Sequence, residues 1–135
     1  MTWYYRGQQF KEEDIGDAYG YVYCITNLTN NKKYIGKKFF SKAGYKQVKG
    51  KRKKIRKPSD WLTYWGSNKY LCEDVKNLGE NNFQREILHL CKTRSECAYL
   101  ELKEQMVNCV LESEDFYNDW IMVKIRKSNL KDRKA

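Results

Sequence analysis

Two short runs of β-branched and aromatic residues, separated by an asparagine-rich turn, constrain the fold of this chain more than any other segment. The first run is YVYCITN, from Tyr21 to about Asn27, and the second is KKYIGKK, which contains Gly36. The LTNN segment between them carries Asn30 and Asn31, a residue type that tolerates the left-handed backbone of tight turns. This pattern predicts a β-hairpin whose side chains alternate between its two faces.

Capping residues and apolar periodicity predict five further elements downstream of the hairpin. In order, they are a short helix opened by Trp61 and capped by Ser59, a helix capped by Ser67 and ended by Gly79, a strand over 83–91, a helix over 95–111 and a strand-like run over 120–125. The capping-box spacing from Thr93 to Glu96 marks the start of the long helix. The order predicts a small α+β domain with a mostly antiparallel three-stranded sheet flanked by helices.

Charge is distributed unevenly along the 135 residues. Lysine and arginine total 27 against 17 aspartates and glutamates, and the segment 37–57 contains eleven basic residues and no acidic one. Because this segment lacks periodicity and includes Gly44 and Gly50, it is predicted to be a basic loop. The expected organisation is an N-terminal arm over 1–18, a domain over 19–125 that contains the loop, and a basic tail over 126–135.

This concentration of positive charge is typical of a protein that binds a polyanion. Tyr45 lies within the basic segment and Trp61 just after it, which favours nucleic acid over a merely solvated loop. Double-stranded DNA is the expected partner, and its backbone is expected to contact Lys49, Lys51, Arg52, Lys53, Lys54, Arg56 and Lys57. The chain has neither the roughly 20-residue apolar run of a membrane helix nor a signal segment at its N-terminus, so a cytoplasmic location is expected.

The residue inventory restricts the chemistry available for cleaving a nucleic acid. His89 is the only histidine, which excludes HNH nucleases, two-histidine ribonucleases and HExxH zinc hydrolases. Proton transfer must then come from tyrosine, lysine, or a carboxylate with its metal. Asp60 followed later by Glu101 and Lys103 superficially matches the PD-(D/E)xK nuclease pattern. That pattern needs a strand, whereas this triplet falls in a predicted helix, where positions i and i+2 point apart.

The hairpin motifs resemble those of the GIY-YIG nuclease superfamily, especially its phage-encoded, homing-endonuclease-like members. The motifs YVY (21–23) and YIG (34–36) are separated by ten residues, and Tyr21 stands where the family has a glycine. The GSxxxL…LGxxNF stretch over 66–83 also resembles the family's middle region. The resemblance covers about residues 20–125, and it implies an endonuclease that hydrolyses DNA phosphodiesters with one Mg²⁺ or Mn²⁺.

The resemblance also implies roles for individual residues. Tyr23 would be the general base, helped or oriented by Tyr34, with a pKa that neighbouring cations lower. Glu101 would be the single protein ligand of the metal, with Glu96 and Glu104 as alternatives on the same helix. Asn118 would support Glu101 or the metal side of the site by hydrogen bonding. The family's arginine is absent at its usual spacing, so the candidate cations are Lys37, Lys38, Arg52 and Arg56.

Two other functions fit the same sequence. A tyrosine pair on a hairpin is often simple cross-strand packing, so the chain could be a nucleic-acid-binding module without catalysis. It could also be a basic interaction module for an acidic protein or RNA. Binding that is indifferent to Glu101 and to metal would indicate the first alternative. A separate recognition domain does not fit within this length, so recognition is expected from the basic segment, the tails or a second subunit.

Overall fold

A mixed five-stranded sheet forms the centre of the fold, which a computed structural model describes for residues 2–122. The strands are β1 (Trp3–Tyr5), β2 (Gln8–Phe10), β3 (Gly20–Asn27), β4 (Lys33–Phe39), β5 (Ser41–Val48), β6 (Lys51–Pro58) and β7 (Phe83–Cys91), and the helices are α1 (Lys69–Leu78) and α2 (Arg94–Val107). Short 3-10 turns occupy Glu12–Asp14, Trp61–Thr63 and Glu80–Asn82. The sheet order is β2-β1-β7-β3-β4, and β5 and β6 form a separate two-stranded sheet.

The predicted hairpin and third strand are confirmed. β3 and β4 pair antiparallel with Tyr23 opposite Gly36, and Asn31 in the connecting turn has a positive φ of 61°. β7 pairs antiparallel with the other side of β3, and Leu88 is an extra residue opposite the step from Val22 to Tyr23. The two motif tyrosines therefore lie on neighbouring strands of one sheet.

The sheet is not the three-stranded antiparallel sheet that the sequence predicts, because two N-terminal strands extend it. β1 joins β7 in parallel, and β2 pairs antiparallel with β1. Each of these strands has three residues, too few for alternation to be recognised, and each is fixed by one buried aromatic side chain, Trp3 or Phe10. The segment predicted as an arm therefore supplies two strands of the main sheet.

The prediction of a loop over 37–57 is also wrong. β4 continues to Phe39, and residues 41–58 form the β5–β6 hairpin. Lys49 and Gly50 at its turn both have positive φ, 50° and 74°, as a two-residue type I′ turn requires. Nearly every side chain of the hairpin is exposed, so no apolar alternation marks its strands.

Helix α1 confirms one predicted boundary and corrects another. The helix ends at Gly79 as predicted, but its cap is Asn68, whose side-chain oxygen accepts from the Leu71 N–H, and not Ser67. The short helix predicted at Trp61 is a single 3-10 turn. Ser59 does not cap that turn but donates to the Phe39 carbonyl at 2.6 Å.

Helix α2 begins as predicted and ends earlier than predicted. Thr93 caps it by accepting from the Glu96 N–H, and the helix ends at Val107 and not near 111. Glu101 and Lys103 both lie within this helix, so the strand that a PD-(D/E)xK site requires is absent at this triplet. No helix within residues 2–122 is long and apolar enough to cross a lipid bilayer.

The chain after α2 runs beside β4 without forming a regular strand. Lys33 N–H donates to the Asp115 carbonyl and Tyr117 N–H donates to the Lys33 carbonyl. Of the strand-like run predicted over 120–125, residues 120–122 are not in a strand. The remainder of that run and the basic tail over 126–135 lie outside the described residues.

Buried residues pack on both faces of the main sheet. The larger cluster is aromatic and includes Trp3, Phe10, Tyr21, Tyr23, Phe40, Trp61 and Tyr117. The smaller cluster lies beneath α2 and consists of Val22, Ile35, Cys91, Cys97 and Val110. Alternation along β4 therefore directs Tyr34, Gly36 and Lys38 toward the aromatic side, and directs Lys37 toward α2.

Candidate active site

A cleft of about 340 Å³ opens beside β4 and collects polar groups from both faces of the sheet. Five of the residues predicted for the site line it: Tyr23, Tyr34, Lys37, Lys38 and Glu101. Asp60, which follows β6 and precedes the 3-10 turn, also lines it. The fold therefore gathers phenols, ammonium groups and carboxylates from four separate segments into one place.

Tyr23 lies at the buried end of this cleft. Its side chain is 1% exposed, and a Cβ added to Gly36 would lie 2.5 Å from its hydroxyl oxygen. Burial raises the pKa of Tyr23 well above its usual value of 10, and a hydrogen bond to Tyr64 raises it further. The expectation that neighbouring cations lower this pKa is wrong, because the largest cause of the shift is desolvation of the phenolate.

Tyr34 is the more accessible of the two motif tyrosines. It is half-buried, its ring centroid lies 6.1 Å from that of Tyr23, and its hydroxyl lies 3.3 Å from the Ser67 hydroxyl. Burial raises the pKa of Tyr34, and the hydrogen bond with Ser67 opposes part of that rise. Both phenols are therefore protonated at neutral pH, and Tyr34 is the one that solvent reaches more readily.

Glu101 is the carboxylate of α2 that faces the cleft. Its Oε1 lies 3.1 Å from Lys37 Nζ, and the two side chains are 14% and 24% exposed. The alternative glutamates of α2 are engaged elsewhere: Glu104 pairs with His89 at 2.8 Å, and Glu96 accepts from the Lys92 N–H at the start of the helix. Among the glutamates proposed from sequence, only Glu101 lines the cleft.

A second ion pair also lines the cleft. Lys38 Nζ is 2.6 Å from Asp60 Oδ1 and 4.1 Å from the centroid of the Tyr64 ring. The hydrogen bond from Lys38 lowers the pKa of Asp60. From the sequence, Asp60 was considered only together with Glu101 and Lys103, because the partner that brings it into the cleft lies on a distant strand. Tyr64 was not among the residues expected at the site, yet it contacts both Tyr23 and Lys38.

Arg56 is fixed at the wall of the cleft but does not line it. Its Nη2 donates to the Ser41 carbonyl at 2.8 Å and to the Tyr19 hydroxyl at 3.3 Å, and Ser41 itself lines the cleft. The other predicted DNA-contacting residues, Lys49, Lys51, Arg52, Lys53, Lys54 and Lys57, are exposed on the β5–β6 hairpin or at its turn.

Asn118 is buried and holds β4 in place. Its side-chain oxygen accepts from the Ile35 N–H at 3.0 Å, and its amide nitrogen donates to the Ile35 carbonyl at 2.8 Å. Gln105 of α2 donates to the same carbonyl at 3.1 Å. The predicted support by Asn118 is thus directed at the strand between Tyr34 and Gly36, whereas Glu101 is bonded to Lys37. Gln105 was not anticipated from sequence.

The donor chemistry of the cleft fits one hard divalent cation. Within residues 2–122 there is no cluster of three or more histidine, cysteine, aspartate or glutamate side chains arranged to hold a metal. A cation held in the cleft would therefore have fewer than three carboxylate ligands from the described residues, and Glu101 would be one of them. Mg²⁺ and Mn²⁺ suit such a site, since Mg²⁺ commonly keeps several waters and binds through one or two carboxylates and substrate phosphates.

Comparisons with known proteins agree with the hairpin motifs. Residues 3–121 match the family model described as "Putative endonuclease segE, GIY-YIG domain". "Putative endonuclease segE" of Enterobacteria phage T4 is 37% identical over 102 residues, which are 74% of this chain and 40% of that protein. The chain thus spans less than half the length of that relative, and no solved structure matches it. The match across residues 3–121 confirms the resemblance seen in the two tyrosine motifs, and the chain belongs to the GIY-YIG endonuclease family.

Proposed function

We propose that this chain is an endonuclease that hydrolyses phosphodiester bonds of double-stranded DNA with one Mg²⁺ or Mn²⁺ bound at Glu101. The observation that carries the proposal is the cleft beside β4, which combines Tyr34, Lys37 and Glu101 within one volume of about 340 Å³. Family membership supports the reaction class, and the exposed basic hairpin at the cleft wall supports a polyanionic substrate.

Phosphodiester hydrolysis requires a proton acceptor for the attacking water and positive charge around the transition state. A divalent cation bound at Glu101 would supply Lewis-acid stabilisation of the phosphate and leaving oxygens. Tyr34 is the better placed acceptor, because its hydroxyl is the more accessible of the two. Tyr23, the base suggested by the sequence, lies behind it and fixes the position of the Tyr34 ring by packing.

The protonation state of the tyrosines imposes a pH dependence on this reaction. Because burial raises the pKa of Tyr34 above 10, the phenol must first release its own proton to solvent. The fraction of phenolate grows tenfold per pH unit below that pKa, so turnover is expected to rise with pH. This behaviour separates a tyrosine acceptor from a carboxylate acceptor, which would be fully ionised at neutral pH.

Lys37 and Lys38 are the cations proposed to stabilise the transition state. Both ammonium groups line the cleft and pair with its carboxylates, Lys37 with Glu101 and Lys38 with Asp60. A phosphate entering the cleft offers each lysine a second anionic partner. Arg56, held on Ser41 at the wall of the cleft, is proposed to contact the neighbouring phosphate of the same strand.

A metal-dependent plasmid assay tests the proposal. The full chain is incubated with supercoiled plasmid and Mg²⁺ or Mn²⁺, and Glu101→Gln is compared with Glu104→Gln. We expect Glu101→Gln to lower turnover at saturating DNA by at least about 10²-fold, the effect of removing one group that stabilises the transition state. Glu104→Gln should retain wild-type turnover, because this carboxylate pairs with His89 outside the cleft.

Binding measured with the same variants separates catalysis from substrate recognition. Glu101→Gln should bind duplex DNA within about threefold of wild type, because Glu101 carries no positive charge for phosphate contacts. Full activity of Glu101→Gln would contradict the assignment of the metal ligand. A wild-type chain that binds DNA but cleaves none with either metal would indicate the alternative function, a nucleic-acid-binding module without catalysis.

A further inference from the structure

The two faces of the β5–β6 hairpin differ in chemistry. Residues paired across an antiparallel ladder project to the same face, and successive residues alternate between faces. The register places Lys42, Lys46, Lys51, Lys53 and Lys57 on one face, here called the lysine face. The opposite face, here called the arginine face, carries Tyr45, Gln47, Arg52, Lys54 and Arg56. Both arginines, the tyrosine and the glutamine of the hairpin therefore share one surface.

Contacts within the hairpin agree with this division. On the arginine face, the Arg52 guanidinium lies 4.0 Å from the centroid of the Tyr45 ring, and Arg56 donates to Ser41. On the lysine face, the stem of Lys57 crosses Gly44 so closely that a Cβ there would meet it at 2.7 Å. Arg52 also lies directly opposite Gln47, near the turn. Two side chains with planar hydrogen-bonding groups thus stand side by side near the tip of an exposed ribbon.

We propose that the arginine face enters the major groove of duplex DNA and that Gln47 and Arg52 read base edges there, while the lysine face binds phosphates. The inference rests on the proposed function, because it takes duplex DNA as the substrate. It goes further in assigning sequence discrimination to named residues. Arginine pairs with the O6 and N7 of guanine, and glutamine pairs with the N6 and N7 of adenine, each by two hydrogen bonds.

The shape of the hairpin fits the major groove. Each strand has eight residues, which extend over roughly 27 Å at about 3.4 Å per residue. The turn at Lys49 and Gly50 keeps the tip as narrow as the ribbon itself. The major groove is about 12 Å wide and admits a two-stranded β-ribbon.

Double-stranded DNA suits the arginine face better than double-stranded RNA does. Nearly all hairpin side chains are exposed on both faces, so one face can enter a groove while the other meets a backbone. The major groove of an RNA duplex is deep and too narrow for side chains to read. The hairpin also begins at the cleft, since Ser41 and Lys42 line it, so bases read by Gln47 and Arg52 would lie a short way along the duplex from the cut phosphate.

A selection from a random-sequence duplex library tests this division without requiring catalysis. The full chain is mixed with the library in EDTA, and the bound duplexes are sequenced for wild type, Gln47→Ala/Arg52→Lys and Lys46→Ala/Lys53→Ala. The second double variant is the matched control, because Lys46 and Lys53 are register partners on the lysine face. Affinity is also measured against salt concentration for two unrelated duplexes.

The two double variants are expected to lose different properties of DNA binding, sequence preference in one and overall affinity in the other. Gln47→Ala/Arg52→Lys keeps one positive charge at the tip and should retain overall affinity within about threefold. It should lose about five- to a hundredfold of the preference at each position read by a bidentate contact. Lys46→Ala/Lys53→Ala should weaken binding to every duplex alike and lower the salt slope by about one to two, with the selected sequences unchanged.

Three outcomes would overturn the inference. The first is a wild-type chain that binds and cleaves DNA with no base preference, which leaves the proposed function intact. The second is an equal loss of affinity on all sequences in Gln47→Ala/Arg52→Lys, which would make the arginine face a phosphate contact. The third is equal binding of an RNA duplex of the selected sequence with the same dependence on Gln47 and Arg52. Absence of any duplex binding by wild type would instead refute the proposed function, and this inference with it.

Discussion

Replacing Gly36 by alanine tests whether the two motif tyrosines are packed against β4 as tightly as the distances indicate. Gly36 lies opposite Tyr23 in the β3–β4 pairing and does not have a positive φ, so alanine fits its backbone. The substitution is therefore opposed by the lack of space for the new Cβ and not by the backbone conformation. The new Cβ would lie 2.5 Å from the hydroxyl oxygen of Tyr23, 2.7 Å from its Cζ and 3.0 Å from Cε2 of Tyr34.

The cost of this substitution follows from how little Tyr23 can move. Ordinary van der Waals contact begins at 3.4 Å, so the hydroxyl would have to retreat by about 0.9 Å. The Tyr23 ring is held by Trp3 and Tyr64, with centroids 5.4 and 5.9 Å away. Overpacking a buried site costs about 1–3 kcal/mol. A loss of about 2 kcal/mol would lower the Tm of a domain of this size by about 5–10 °C.

Thermal unfolding followed by circular dichroism measures the loss of stability, and plasmid turnover at saturating DNA measures the displacement of Tyr34. Gly44→Ala is the matched control, because its Cβ would meet the flexible stem of Lys57 at a similar distance. It should change the free energy of unfolding by less than about 0.5 kcal/mol. Adding Tyr23→Phe to Gly36→Ala removes the atom in closest contact and should recover part of the stability. A Gly36→Ala chain with wild-type Tm and turnover would refute this packing.

Two further expectations concern proton transfer and the buried Arg85 of β7. Turnover at saturating DNA should rise about tenfold per pH unit between pH 7 and 9, because the pKa of Tyr34 is raised. The Tyr34→Phe variant should lack this rise. A plateau of turnover below pH 8 would contradict a tyrosine acceptor. Arg85 is 1% exposed, lies between the rings of Trp3 and Trp65, and donates to the carbonyls of Leu62 and Tyr64 at 3.1 and 2.8 Å. Arg85→Met should lower the free energy of unfolding, measured by chemical denaturation, by about 2–4 kcal/mol. An unchanged denaturant concentration at the midpoint of unfolding would show that these contacts of Arg85 do not stabilise the fold.

Elements with an internal pattern could be predicted from the sequence. The β3–β4 hairpin has β-branched runs around an asparagine turn, β7 has apolar residues at Phe83, Ile87 and Cys91, and α2 has its cap at Thr93. The β5–β6 hairpin has no such pattern, because both faces are exposed and most of its residues are polar. The dipeptide Lys49-Gly50 was its one local signal.

The parts of the site that sequence reasoning missed depend on contacts between distant segments. Asn118 itself was expected at the site, but its partner Ile35 is 83 residues away, and Lys38 meets Asp60 only because the hairpin returns the chain to the cleft. The pKa of Tyr23 was predicted in the wrong direction for the same reason. The cations near it are visible in the sequence, whereas the rings that exclude water from it are visible only in the fold.

The bonds made by residues 115–118 have a consequence for how the chain avoids aggregation. β4 is the last strand of the main sheet, and the Asn118 side chain pairs with Ile35 as a neighbouring strand would, while Asp115 and Tyr117 occupy both backbone groups of Lys33. No free edge is left at these positions for another chain to join. A nascent or truncated chain that lacks this segment exposes the same groups unpaired. Such a chain is the species in which strand-to-strand association would begin.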